Sequence, residues 1–297
     1  MNWTEVKAWR KTARAKLIAA RIAIPATLRA QWTKDLAANL RPILAKAPPP
    51  ISFYWPFKAE PDLRSLMREL DAQGIAIALP VAIRLGEPMT FRPWTSGAPM
   101  ERGIWDIPIP ATTEKVLPQT LIAPLVGFDG ANYRLGYGGG FFDRTLAKLG
   151  PEAQAIGVGF SLFGLATIHP QAHDVAMARL VTEAAIPDIA VNASPVCYAD
   201  AADAVYAGFL PDVDLAAAIE CYAAVLPPER LPLLDFVLWR LGATPGRRDG
   251  ETAQHSDPAD GLSRLLPRIR DNTIHAAVRI LRDSLENDTP LEHTAKA

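Results

Sequence analysis

Cysteine is nearly missing from this chain: Cys197 and Cys221 are the only two among 297 residues. Two are far too few for a disulfide framework, and a reducing cytoplasm is the expected compartment. Charge of one sign is missing too. The 31 Lys and Arg against 32 Asp and Glu leave a net charge of −1, no electrostatic case for nucleic acid or an anionic membrane. Long hydrophobic runs are lacking. The longest, Ile75 to Ile83 and Ala155 to Ile168, fall short of a membrane span, and Pro80 interrupts the first. Met1-Asn2-Trp3-Thr4-Glu5 has no basic start followed by an apolar stretch, so no secretory signal is expected. Residues 7 to 21 are basic and amphipathic, which leaves an organelle address open. What the chain does have is a hydrophobic fraction of 49%, ample for a core, and 27 prolines that fall largely at element boundaries.

The most informative segment is Arg134-Leu135-Gly136-Tyr137-Gly138-Gly139-Gly140-Phe141-Phe142-Asp143-Arg144, with four glycines in five positions. Glycine permits positive φ and removes the Cβ atoms that would hold a ligand away. Successive N–H groups in such a turn converge on an anion, most often phosphate. Arg134 and Arg144 offer paired donors to phosphate oxygens, and Asp143 supplies a hard oxygen of the kind Mg2+ accepts beside phosphate. Two common phosphate loops are excluded. No lysine follows the glycines, as a Walker A loop requires, and Phe141 stands where a dinucleotide fingerprint places its third glycine. The bland alternative is a tight glycine turn that merely joins a strand to a helix.

The pattern around this loop predicts an α/β domain. Residues 4 to 21 and 26 to 46 read as helices separated by Ile24-Pro25. Ile51 to Trp55 reads as a buried strand. A helix opening at Pro61 places Leu63, Leu66, Met67 and Leu70 on one face, and Gly74 and a strand over Ile75 to Leu79 follow. That order predicts a parallel crossover. Residues 84 to 118 read as irregular apart from a strand near Met89 to Phe91. Further strands are expected at Thr120 to Val126, Ala155 to Phe160 and Leu180 to Thr182, with a helix over Phe142 to Leu149. A loop between strand and helix is where open α/β sheets bind ligands. The fold class is therefore a Rossmann-like three-layer domain with a mainly parallel sheet over residues 1–190. A smaller all-α module over 191–297 follows, with helices at Asp214 to Leu226, Glu229 to Leu241, Asp260 to Leu266 and Asn272 to Leu285.

Further residues extend the glycine segment in both directions: Gly127-Phe128-Asp129 before it, then Ala155-Ile156-Gly157-Val158, His173-Asp174 and Val181-Thr182-Glu183. Upstream stand Lys7 and Arg10, Tyr54-x-Pro56-x-x-x-Glu60 and Gly103-Ile104-Trp105-Asp106-Ile107-Pro108. This ordered set resembles the 5-formyltetrahydrofolate cyclo-ligase family over about residues 5 to 183. The resemblance implies an ATP- and Mg2+-dependent ligase that converts a reduced formyl folate to 5,10-methenyltetrahydrofolate, ADP and phosphate. It implies that Arg10, with Lys7, holds ATP phosphates, while Arg134, Leu135, Gly136, Tyr137, Gly138, Gly139, Gly140, Phe141 and Phe142 wrap the nucleotide. Asp143 and Asp174 would be the metal carboxylates. Trp55, Glu60 and Trp105 would meet the folate, with Tyr137 to Phe141 lying along both ligands. Arg134, Tyr137 and Arg10 would carry catalysis, which is phosphoryl positioning and needs no protein nucleophile.

Each of these residues also has a plain reading. Arg10 sits among Lys11, Arg14, Lys16 and Arg21 and could be a solvated helix face. Glu60 could be a carboxylate at a helix entry, Trp55 and Trp105 core or rim aromatics, His173 a loop former, and Asp174 a turn residue. The chain has Phe141 and Phe142 where the family usually has tyrosines, and Ala178 where many bacterial members have Asp. A divergent relative acting on another formylated substrate, or a binder without turnover, is the competing reading. The helical module has no chemistry of its own: Asp271 and His275 are spaced for a shared metal, but one pair alone is a weak site. Homo-oligomer formation or a protein partner is the expected role of that module.

Overall fold

The computed structural model describes residues 1–184, 219–224, 226–241, 258–269 and 272–287. Two long helices open the chain, α1 (Trp3–Ala23) and α2 (Ala26–Leu44). They are separated at Pro25, which has no N–H to extend a helical ladder. The central sheet runs in the order β11-β9-β6-β1-β2-β3. Its strands are β1 (Ile51–Ser52), β2 (Ile77–Val81), β3 (Thr90–Trp94), β6 (Thr120–Pro124), β9 (Gln154–Val158) and β11 (Arg179–Val181). All neighbours pair in parallel except β2 and β3, which are antiparallel at one edge.

Alternation along these apolar strands divides the core between two faces. Ile77, Leu79, Ile122 and Ile156 pack with Leu36, Leu40 and Leu44 of α2 and with Leu66, Met67 and Leu70 of α3 (Arg64–Ala72). Their neighbours in sequence, Ala78, Leu121, Ala123 and Ala155, point the other way and pack with Leu146 of α4 (Phe141–Leu149). Successive strand side chains face opposite sides, so a strand covered by helices on both faces is apolar throughout. Three layers result.

Some expected boundaries shift. The ladder of β1 pairs only Ile51 and Ser52, because the chain leaves the sheet after Phe53 to form a loop toward Glu60. The helix expected from Pro61 begins at Arg64. The irregular region contains a hairpin of β4 (Met100–Arg102) and β5 (Pro108–Pro110). A second small sheet, ordered β10-β7-β8, joins β7 (Gly127–Asp129), β8 (Arg134–Leu135) and β10 (Gly164–Leu165).

The chain divides into two compact units, Met1–Ile18 with Pro25–Asn192, and Ala19–Ile24 with Ala193–Ala297. Taken by itself, the second is helical where described: α5 (Leu231–Arg240), α6 (Pro258–Leu265) and α7 (Asn272–Asn287). Leu233, Phe236 and Val237 of α5, Leu262 of α6, and Ala277, Val278 and Leu281 of α7 are buried. Only the end of the helix expected over Asp214 to Leu226 is described, as a short 3-10 turn at Cys221–Ala224. Asp271, and with it the Asp271–His275 pair, lies outside the described residues. Among the described residues no helix is long and apolar enough to cross a membrane.

Candidate active site

The glycine turn is anchored at its start by a buried carboxylate. Asp129 Oδ1 accepts the N–H groups of Ala131 and Tyr133, both at 3.1 Å, and Oδ2 accepts that of Ile168 at 3.0 Å. This closes the β7–β8 hairpin, in which Phe128 pairs with Arg134 and Gly127 with Leu135. The chain then crosses from Gly136 to Gly140 and enters α4. Gly138 and Gly140 hold φ values of 91° and 64°, where a side chain is strained. A Cβ on Gly140 would also lie 2.6 Å from Arg144 Nη1. Two carbonyls of the turn are tied by arginines: Arg14 Nε donates to Gly136 at 2.7 Å, and Arg144 Nη2 donates to Gly139.

Three guanidinium groups meet at this turn. Arg10 is 8% exposed, so it is not part of a solvated face. Its Nε donates to the Ile168 carbonyl at 3.0 Å, and Nη1 and Nη2 grip Asp174 at 3.2 and 2.5 Å. Arg134, 7% exposed, lies with Cζ 5.1 Å from the Phe142 ring centre. Its Nη2 is 2.9 Å from Asp143 Oδ1, yet the geometry is not that of a hydrogen bond. The contact is coulombic, and Nε and Nη2 are buried without an acceptor. Burial pushes the Arg134 guanidinium down, while Asp143 and Asp174 oppose that shift. Unsatisfied buried donors on a cation are costly. They mark a place for an anion.

Burial pushes the Asp174 carboxyl up, but the Arg10 guanidinium and the Gln171 N–H outweigh it and hold the group below its ordinary value. A carboxyl depressed in the fold stabilises it above the unfolded value, about 3.9, and loses that contribution as pH falls through the folded value. Asp174→Asn is therefore expected to lower stability at pH 7 by about 2–3 kcal/mol, since Arg10 keeps a buried charge without its counterion. Urea unfolding at pH 7 and pH 3 checks this: the gap between variant and wild type should narrow at the lower pH.

At the other end of the cavity Tyr137 Oη donates to Glu60 Oε1 at 2.8 Å, and the Phe57 N–H donates to Glu60 Oε2 at 2.9 Å. Glu60 is 7% exposed and lies before α3 begins, so it does not serve that helix's N-terminus. Trp55 is half-buried, with Arg64 over its ring at 5.2 Å. Trp105 is 54% exposed and meets Phe141 edge-on at 5.5 Å. Two residue pairs at the rim, Lys58-Ala59 and Trp105-Asp106, adopt positive φ. Such strain in non-glycine residues concentrates at ligand sites.

One cavity of about 950 Å³ gathers all of these groups. Lys7 and Arg10 come from α1, Trp55 and Glu60 from the loop after β1, and Trp105 from the β4–β5 turn. Arg134 through Asp143 come from β8, the turn and α4, and Asp174 from the loop before β11. Phe57, Lys58 and Arg14 line it too, and nothing local in the sequence marked the first two. Ala178 is not part of the lining.

Against known proteins, the model of the 5-formyltetrahydrofolate cyclo-ligase family matches residues 6–183. The chain belongs to this family. A cyclo-ligase of Mycolicibacterium smegmatis is 31% identical over 160 residues, covering 51% of this chain and 78% of the relative. One of Haemophilus influenzae is 35% identical over 108 residues, and the match covers 32% of this chain but only 54% of that protein's length. Among solved structures, the 5,10-methenyltetrahydrofolate synthetase of Aquifex aeolicus superposes with a TM-score of 0.52 at 27% identity, covering 59% of this chain and 90% of its own. The cyclo-ligase match ends at Glu183, within the first unit.

The donor set also bears on a metal. Among the described residues no three His, Cys, Asp or Glu side chains gather as a metal cage. Asp143 and Asp174 line the same cavity, each beside an arginine. Mg2+ commonly takes only one or two carboxylates and completes its shell with phosphate and water. The two carboxylates fit a cation that arrives with a polyphosphate and do not fit one bound by protein alone.

Proposed function

We propose that this chain closes 5-formyltetrahydrofolate to 5,10-methenyltetrahydrofolate at the expense of ATP. The observation that carries the reading is Arg134, a buried cation with two unsatisfied donors at a glycine turn. That turn opens on the same cavity as Trp55 and Glu60.

In this reading the formyl oxygen attacks the γ-phosphorus, ADP leaves, and the formyl carbon becomes an iminium phosphate. N10 then attacks that carbon, the C–O bond breaks with its electron pair going to phosphate, and the N10 proton passes to solvent. Arg134 and Arg10, with the N–H groups of the glycine turn and of the α4 N-terminus, stabilise charge on the transferring group. Asp143 and Asp174 would hold Mg2+, which when bound neutralises polyphosphate charge. Glu60 orients the pterin edge through hydrogen bonds, and Tyr137 fixes Glu60 in turn. Trp55, Trp105 and Phe141 supply apolar walls that exclude water from the phosphorylated carbon. Residues 191–297 would form a separate helical module that engages a second copy or a protein partner and leaves the chemistry to residues 1–190.

The test is direct. Purified protein with 5-formyltetrahydrofolate, Mg2+ and ATP should develop the near-ultraviolet absorption of the methenyl product; folate binding without that product would sink the proposal. Glu60→Gln should raise KM for the folate roughly 10–100-fold, the worth of one charge-assisted hydrogen bond. KM for ATP should stay within about twofold of wild type, because Glu60 contacts Tyr137 and Phe57 and not the arginine cluster. Steady-state kinetics with each substrate varied in turn separates the two.

A further inference from the structure

Among the described residues the cationic groups at the glycine turn are unevenly compensated. Arg10 is paired with Asp174 and Arg134 with Asp143. Arg14, one turn further along α1, has neither an ion pair nor a second hydrogen bond among the described residues. Its Nε is fixed on the Gly136 carbonyl at 2.7 Å. The rest of the guanidinium lies against Gly138, where a Cβ would sit 3.1 Å from both Cζ and Nη1. The group lines the cavity. Burial lowers its pKa, and the charge of Arg10 lowers it further. A half-buried cation crowded by another cation is unfavourable unless something supplies an anion. The protein supplies none here.

We propose that Arg14 is a further phosphate-binding residue, holding the turn through Nε and presenting Nη1 and Nη2 to a phosphate oxygen of the nucleotide. Phosphate is favoured over a folate carboxylate because Arg14 touches Gly136 and Gly138, while the Glu60–Tyr137 pair belongs to the other end of the cavity. The glycine at 138 then has a second reason beyond its φ of 91°: any side chain would displace this guanidinium. The inference rests on the nucleotide reading given above and extends it to a residue outside the glycine segment.

Calorimetry on the full chain tests it, with wild type, Arg14→Met and Arg14→Lys titrated separately with MgATP, inorganic tripolyphosphate and 5-formyltetrahydrofolate. Arg14→Met should weaken both phosphate ligands roughly 10–100-fold, the range of a charged hydrogen bond, and leave folate affinity within about twofold. Arg14→Lys keeps the charge without the fork, so its affinities for the phosphate ligands should fall between the other two. Near-ultraviolet circular dichroism establishes that each variant is folded. If Arg14→Met does not fold, the Arg14→Lys titration decides, and wild-type affinity for tripolyphosphate there overturns the proposal. Equal loss of folate and phosphate binding would also overturn it, since that is the mark of a collapsed turn. A wild type that binds neither MgATP nor tripolyphosphate overturns it outright. Failure of the cyclo-ligase reading looks different: wild type binds MgATP and folate, Arg14→Met loses the former, and no methenyl product forms.

Discussion

Arg134→Met is expected to lower kcat by roughly 10²–10³ while the protein stays folded. The magnitude is that of removing one preorganised donor from a site where charge develops. Arg134 is suited to such a role because its Nε and Nη2 are buried and have no acceptor, so their desolvation is complete before any ligand arrives. A donor already stripped of water loses nothing further when phosphate charge appears beside it. Folding should survive, because Met keeps the length and the contact with the Phe142 ring and removes a cation that the fold does not fully satisfy. Asp143 keeps the Val175 N–H at 3.3 Å and partial solvent access, so it is not left as an isolated buried charge. A stability change within about 2 kcal/mol is expected. Arg134→Lys should recover part of the rate, since an ammonium restores charge without the planar fork. Turnover of Arg134→Met within threefold of wild type, measured with both substrates saturating, would remove the basis of the proposed function.

How much of this site is legible without coordinates differs from residue to residue. The glycine segment announces itself by composition, and the local reading of phosphate chemistry needed nothing from the fold. Arg10 was ambiguous as a member of a basic run, yet a periodic signal was present. Val6, Arg10, Ala13 and Leu17 recur at helical spacing, and all four are buried. A basic residue in the middle of an apolar stripe cannot be a solvated face. Arg14 stands off that stripe, so its burial depends on the glycine turn that folds over it from more than a hundred residues away. Glu60 is similar: its partner Tyr137 is 77 residues distant, and no local pattern distinguishes it from a helix-entry carboxylate. The sheet was readable where strands run to five residues, because Ile77, Leu79 and Ala78 divide cleanly between two faces. The hairpins that aim Trp105 and Arg134 were not, since strands of two or three residues carry no periodicity to read. Positive φ at Trp105 and Lys58 is likewise invisible in composition, being imposed on residue types that ordinarily avoid it.

Asp143→Asn should lower kcat at least about a hundredfold and raise the Mg2+ concentration needed for half-maximal rate at least about tenfold, as expected for a lost ligand. The second readout matters because Asp143 has two possible duties. It lies 2.9 Å from Arg134 Nη2 and could serve only to hold that guanidinium in place; it also lines the cavity beside Asp174's loop, through the Val175 N–H. If positioning were its whole function, Asp143→Asn would add nothing in an Arg134→Met background, where there is no guanidinium to position, and the Mg2+ dependence would be unchanged. If it holds the cation, the rate loss persists in that background and the Mg2+ requirement rises in both. The double-mutant cycle therefore reads two different quantities from one carboxylate. Asparagine keeps the shape and the contact with the Val175 N–H, so secondary structure and unfolding midpoint should remain close to wild type. A variant whose Mg2+ curve superposes on that of wild type would assign Asp143 to Arg134 and leave the nucleotide's cation to Asp174 alone.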